Sequence, residues 1–277
     1  MSVHTNQLGT STFYGKSALA SAMHTALLAA GGNMVFDIGM RLQHTENTTT
    51  YGLLDIGDSN SGAWDGLCNI QKVNGGSQIR SYFNNTGTAF ATAAYPTWTA
   101  STWRTQFFRV TCIQSTGIKI DRREVWQGTY IVNPTYTLQA TQIVKGGVFD
   151  AAWLGTQRFG TASAFNTFSN WKIAEMCVWG GSGLTTPNHK LATGFGGATP
   201  YSFALVQPDD IIDYSSFRMG LDGSGWTALG TDTEDLPEDN PELIWTLNTS
   251  RLRRKLSLRN SRGGLRGSRL RRLPLAA

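Results

Sequence analysis

The residues able to do chemistry in this 277-residue chain are its carboxylates, histidines, cysteines, aromatics and cations. Glycoside hydrolysis needs two carboxylates at fixed separation, one acting as acid and one as nucleophile or base. A strand with alternating carboxylates would supply them, but neither Glu-x-Asp-x-Glu nor Glu-x-Asp-x-x-Glu occurs. The acidic cluster Glu234, Asp235, Glu238, Asp239 and Glu242 lies among prolines and reads as a solvated charge run. His4, His24, His44 and His189 fall in turns or helical stretches with no nucleophile beside them, and no Gly-x-Ser-x-Gly elbow is present. They are expected to be ordinary surface histidines, and the chain is expected not to be an enzyme. Cys68, Cys112 and Cys177 have no close pair and sit in apolar runs. Such cysteines form neither a zinc site nor a disulfide framework and read as small buried hydrophobes.

Three sets of residues suit binding. The run 55–66 (DIGDSNSGAWDG) offers Asp55, Asp58, Asn60 and Asp65. Oxygen ligands on a turn suit calcium, the one cofactor the residues suggest. The spacing is not that of an EF-hand, and such residues also bond their own backbone in turns. Tyr95, Trp98, Trp126, Tyr130, Tyr136 and Trp226 are aromatics that could stack on sugar faces, whereas aromatics within strands more often pack in the core.

The third set is a basic arm: Arg251, Arg253, Arg254, Lys255, Arg259, Arg262, Arg266, Arg269, Arg271 and Arg272. Of the 24 Lys and Arg, these ten lie in 251–277, while all 19 Asp and Glu lie in 1–250. The body therefore carries 14 basic and 19 acidic residues, a balance of about −5 by this count. A cationic arm suits a polyanion or an acidic protein surface. Leu252, Leu256, Leu258, Leu265, Leu270 and Leu273 interleave with the cations, which favours docking on protein over nucleic acid. Gly263, Gly264 and Gly267 oppose one continuous helix, and a free tail is the plain alternative.

The elements that must position these residues are short strands. Charged residues are 16% of the chain, and there are 31 Gly, 9 Trp and 13 Phe. Gly, Thr, Ser and Asn punctuate apolar runs, as in an all-β sandwich. In 34–43 Met34, Phe36, Ile38, Met40 and Leu42 alternate with polar residues, the pattern of a half-buried strand. Further strands are expected at 51–58, 67–73, 78–83, 105–114, 117–121, 125–129, 152–155 and 171–179. The strand 171–179 is expected to be covered on both sides, with Trp171, Ile173, Cys177 and Trp179 on one face. The stretch 16–30 only weakly imitates a signal peptide and reads as a short helix closed by Gly31 and Gly32. A second short helix is expected after Thr185 or Thr186, with Pro187 in its first turn and Gly194 at its end. No run of eighteen apolar residues offers a membrane span.

From Trp103 to Trp179 the sequence resembles the laminin-G-like branch of the concanavalin A-like lectin/glucanase superfamily. The parts are Trp103, FFRVTC, GIKIDRREVW, Trp153-Leu154-Gly155, and FSNWKIAEMCVW followed by GLTTPNHKLATG. Asp121-Arg122 stands where that family has a hairpin Asp-Gly. The stretch LATGFGGATPYSFALVQPDDIIDY looks like the segment following this domain in many phage and bacterial proteins. The resemblance covers about residues 33–217 and implies a two-sheet antiparallel jelly-roll sandwich. It also implies rim calcium and glycan binding as candidate properties.

The expected organisation is an N-terminal segment 1–32, a sandwich 33–217, a turn-rich acidic extension 218–250 and the arm 251–277. The expected function is that of a virion structural protein, a bacteriophage decoration, fibre or receptor-binding module. Its partners would be capsid or tail subunits, further copies of itself and a cell-surface glycan. Nucleic-acid contact by the arm is less favoured, and no membrane is involved. A secreted carbohydrate-binding module or adhesin is the alternative, with an extracellular location, and a glycoside hydrolase is disfavoured.

Overall fold

The computed structural model describes residues 3–5, 13–44, 51–57, 66–72, 79–80, 103–115, 117–126, 129–138, 149–155, 157–158, 165–166, 171–193, 203, 206, 211–216 and 226–229. These residues form two antiparallel sheets. The first runs in the order β1 (Val3–Thr5), β13 (Trp171–Gly181), β3 (Met34–His44), β7 (Trp103–Ile113), β8 (Gly117–Trp126) and β9 (Thr129–Leu138), with β14 (Ile211–Ser216) also paired to β13. The second runs β15 (Thr227–Leu229), β2 (Phe13–Gly15), β10 (Ala151–Leu154), β4 (Tyr51–Gly57), β5 (Gly66–Lys72) and β6 (Ile79–Arg80). A small ribbon pairs β11 (Gln157–Arg158) with β12 (Phe165–Asn166). This is the all-β, two-sheet antiparallel sandwich that the spacing of apolar runs predicts.

Alternation decides which side chains enter the space between the sheets. Phe36, Ile38, Met40 and Leu42 of β3 go inward with Phe108, Val110 and Cys112 of β7 and Ile118 and Ile120 of β8. Leu54, Ile56, Ala152 and Leu154 meet them from the second sheet. Helix α1 (Ser17–Ala29) adds Leu19, Met23 and Leu27, spaced one helical turn apart, to the same core. Its end matches expectation: Gly32 N–H donates to Leu27 O at 2.9 Å, and Gly31 and Gly32 adopt φ of 61° and 81°.

Three expectations are corrected. Asp121 and Arg122 form no turn: β8 continues to Trp126 because it is paired on both sides, by β7 and by β9. The chain reverses later, between Trp126 and Thr129, inside the strand expected at 125–129. In β13 the register shifts between Ile173 and Glu175, so Ala174 is an extra residue. Ile173 faces Leu42, yet Glu175 already faces Arg41. Trp171 and Ile173 therefore enter the main core, whereas Cys177 and Trp179 lie in a second cluster on the opposite face. As expected, both faces of this strand are covered, and Cys112 and Cys177 are buried. Strands from beyond the expected boundaries at 32 and 217 belong to the sheets: β1 pairs with β13, and β2 with both β10 and β15.

Candidate functional site

The chemistry concentrates on the outer face of the seven-stranded sheet. Its centre is a row of paired residues: Trp179 on β13, Asp37 on β3, Arg109 on β7 and Asp121 on β8. The next row is Cys177, Gly39, Phe107 and Arg123. Gly39 has no side chain because the space is taken. A Cβ there would stand 2.8 Å from Trp179 Cζ3 and 2.9 Å from Phe203 Cε1. The rings of Phe107, Trp179 and Phe203 pack over it, with Trp179 and Phe203 edge to face at 5.3 Å. Trp179 Nε1–H donates to Val206 O at 2.9 Å.

Helix α2 (Thr186–Ala192) covers this face. Thr185 caps it by accepting from Asn188 N–H, and Pro187 occupies its first turn, as its sequence predicts. Asp37 ties the preceding segment to the sheet. Arg109 donates from Nε to Asp37 Oδ1 at 2.9 Å and from Nη2 to Oδ2 at 2.7 Å. Leu184 N–H donates to the same Oδ2 at 2.6 Å, while Leu184 O accepts from Arg109. Burial pushes the Asp37 carboxyl up, but the polar contact with His189 and the hydrogen bonds and charge of Arg109 outweigh it, holding the pKa below the ordinary value. Glu175 plays a parallel part on β13, accepting from Phe203 N–H at 3.2 Å and Tyr214 O–H at 2.8 Å.

His189 is wholly buried, which corrects its expected place on the surface. Its ring packs on Phe107 at 4.3 Å and stacks with Tyr130 at 5.6 Å. Nδ1 lies 2.8 Å from Tyr130 Oη, and Nε2 lies 3.7 Å from Asp37 Oδ1, an ion-pair separation too long for a hydrogen bond. Arg123 Nη1 donates to Tyr130 Oη at 3.3 Å. Burial lowers the His189 pKa, the Asp37 contact opposes this, and Arg109 and Arg123 reinforce it. Asp121 is buried between Lys119 at 3.2 Å and Arg123 at 3.6 Å. Tyr130, His189 and Asp37 stand in the order of a proton relay. The imidazole is closed to solvent, however, and what the line does in this state is hold α2 to the sheet.

The residues expected to bind ligands are dispersed. Of the aromatics, Tyr130 joins the buried network, and Trp226 is 3% exposed within the main core, so its ring is unavailable to a sugar. Trp126 ends β8 and Tyr136 lies in β9, with no side-chain placement described. Tyr95 and Trp98 fall outside the described residues. Of the calcium candidates, Asp55 is no turn residue: it is buried in mid-β4 between Trp153 and Asn69. Asp58, Asn60 and Asp65 lie outside the described residues, as does the whole arm 251–277. Among the described residues no group of three or more His, Cys, Asp or Glu could hold a metal ion. Burial pushes the Cys112 thiol up to about 12 and raises Cys177 as well, so neither is a ready thiolate.

The architecture defines a class, the antiparallel β-sandwich, with a polar and aromatic cluster buried on one outer face. No protein-family model and no curated protein matches the sequence. Among solved structures the chain is similar to full-length tailspike protein 2 of an Escherichia coli O157:H7 bacteriophage, at 11% identity and a TM-score of 0.42, over 67% of this chain and 24% of that one. It is also similar to the Ruminococcus gnavus IT-sialidase CBM40 bound to α2,3-sialyllactose, at 13% identity and a TM-score of 0.34, over 61% of this chain and 86% of that one. A third is the botulinum neurotoxin DC binding domain in complex with rat synaptotagmin II, at 12% identity and a TM-score of 0.33, over 55% and 33%. At such TM-scores the likeness assigns neither a function nor a site.

Proposed function

We propose that the chain is a non-catalytic structural or adhesive protein of a virus particle, a bacteriophage decoration, fibre or receptor-binding module. The sandwich faces outward, and the arm 251–277 fastens it to neighbouring subunits. The observation that carries this reading is the partition of charge. The arm holds ten cations and no acid, on a body with 19 acids and 14 bases. An arm from one copy thus finds opposite charge on the next, with Arg forks gripping carboxylates and the interleaved Leu side chains adding apolar contact. The described buried carboxylates support a structural role: Asp37 and Glu175 hold covering segments against the sheet.

Light scattering on the full chain and on a chain ending at Ser250 tests the reading, with circular dichroism to check folding. The expected result is an oligomer that becomes a folded monomer when the arm is removed. Two monomers would overturn it and turn attention to glycan arrays, the assay for a lectin. Salt separates the arm's partners: phosphate contacts weaken steeply with ionic strength, whereas a Leu-rich dock persists.

A further inference from the structure

We propose that α2 forms an acid-released latch over Phe107, Trp179 and Phe203, with His189 as the group whose protonation releases it. The latch is lightly held. Helix α2 has seven residues, of which His189 and Ala192 are buried, and Leu191 is 50% exposed. A helix this short does not persist in water without its tertiary contacts, so undocking also unfolds it. The strap 182–185 that leads into it stays tied through Leu184 to Asp37 and Arg109, and Gly183 within it adopts φ of 91°.

The groups facing His189 decide its preferred charge. From β3 comes Asp37, from β7 Arg109, from β8 Arg123 with Asp121 beside it, and from β9 Tyr130. One carboxylate thus attracts a proton on the imidazole, while two guanidiniums and complete burial oppose it. Hydrogen bonding points the same way. Tyr130 Oη accepts from Arg123, so its own proton is free to go to His189 Nδ1. Neutral imidazole accepts that proton and keeps N–H on Nε2, toward Asp37. Imidazolium carries N–H on both nitrogens, so the Tyr130 hydroxyl would have to turn and accept from Nδ1–H on an oxygen that Arg123 already uses, leaving its own proton without the imidazole acceptor.

The folded, latched state therefore binds fewer protons at His189 than the released state. Stability of the latch is complete above the ordinary histidine value of 6.5 and declines as the pH falls below it. Hydrogen exchange of the full chain at pH about 7.5 and about 5, corrected for intrinsic rates, tests this. Amides of 188–193 should lose about tenfold protection on acidification, while β3 and β7 keep theirs. His189→Gln can still accept from Tyr130 but does not titrate, and should show equal protection at both pH values. Equal protection in the wild type, or acid release persisting in His189→Gln, would overturn the proposal. If the variant fails to fold, the imidazole signals of wild-type His189 decide. They should titrate together with the loss of α2 protection, and titration while α2 stays protected would equally overturn it.

Discussion

The seven-stranded sheet carries two interiors built by different means. Its inner face meets the second sheet and α1 with Phe36, Ile38, Met40, Phe108 and Val110, an apolar layer held by area removed from water. Its outer face meets α2, Phe203 and Val206 with three aromatic rings, three buried acids and the Asp37–Arg109 ion pair. The inner layer takes many contacts and no particular protonation state. The outer layer relies on a few directional bonds, so it should respond to pH and to the loss of single atoms. The lesson is that one sheet can present a permanent face and a conditional one.

The largest expected effect would sharpen that contrast from the inner side. Phe108→Ala should cost about 4 kcal/mol in chemical denaturation, equally at neutral and mildly acid pH. A loss that depended strongly on pH would break the comparison. Next, Asp37→Ala should cost about 3 kcal/mol, because it leaves the Arg109 charge without its partner. Adding Arg109→Met should recover much of that loss, which a double-mutant cycle measures. Since the folded pKa of Asp37 is depressed, its contribution is present above the ordinary value of 3.8 and is lost as the pH falls through the folded value. Acid titration should therefore weaken the outer face again, below the window set by His189. Gly39→Ala should cost about 2 kcal/mol by forcing the Trp179 and Phe203 rings apart, read as a lower denaturation midpoint. The smallest effect is at the cap: Thr185→Ala should remove about 1 kcal/mol, seen as faster exchange confined to α2.

The inner face was the legible one. Alternation in 34–43 names its own inward residues, and Thr185 with Pro187 announces α2. The outer cluster was hidden for a physical reason. Asp37 and Arg109 occupy the polar side of their strands and look solvated until the register sets them opposite one another. Nothing local to His189 signals its burial, which depends on Tyr130 and Phe107 from strands far away in the chain. The aromatic reading failed at Trp226 because a Trp just before a short strand looks like a loop residue until that strand joins the sheet. Gly39 offered one readable hint: a glycine inside a strongly alternating strand marks a close approach by something else.

Ala174 acts as a change of phase. A strand is a wave of period two, and one added residue advances everything after it by half a cycle. Upstream of that point β13 sends Trp171 and Ile173 to the inner layer; downstream it sends Cys177 and Trp179 to the outer one. Deleting Ala174 would remove the bulge and still leave Glu175 opposite Arg41 and Trp179 opposite Asp37, so the extra residue decides which positions of the sequence reach the outer layer. Because of that one beat, odd-numbered side chains of a single strand serve both interiors.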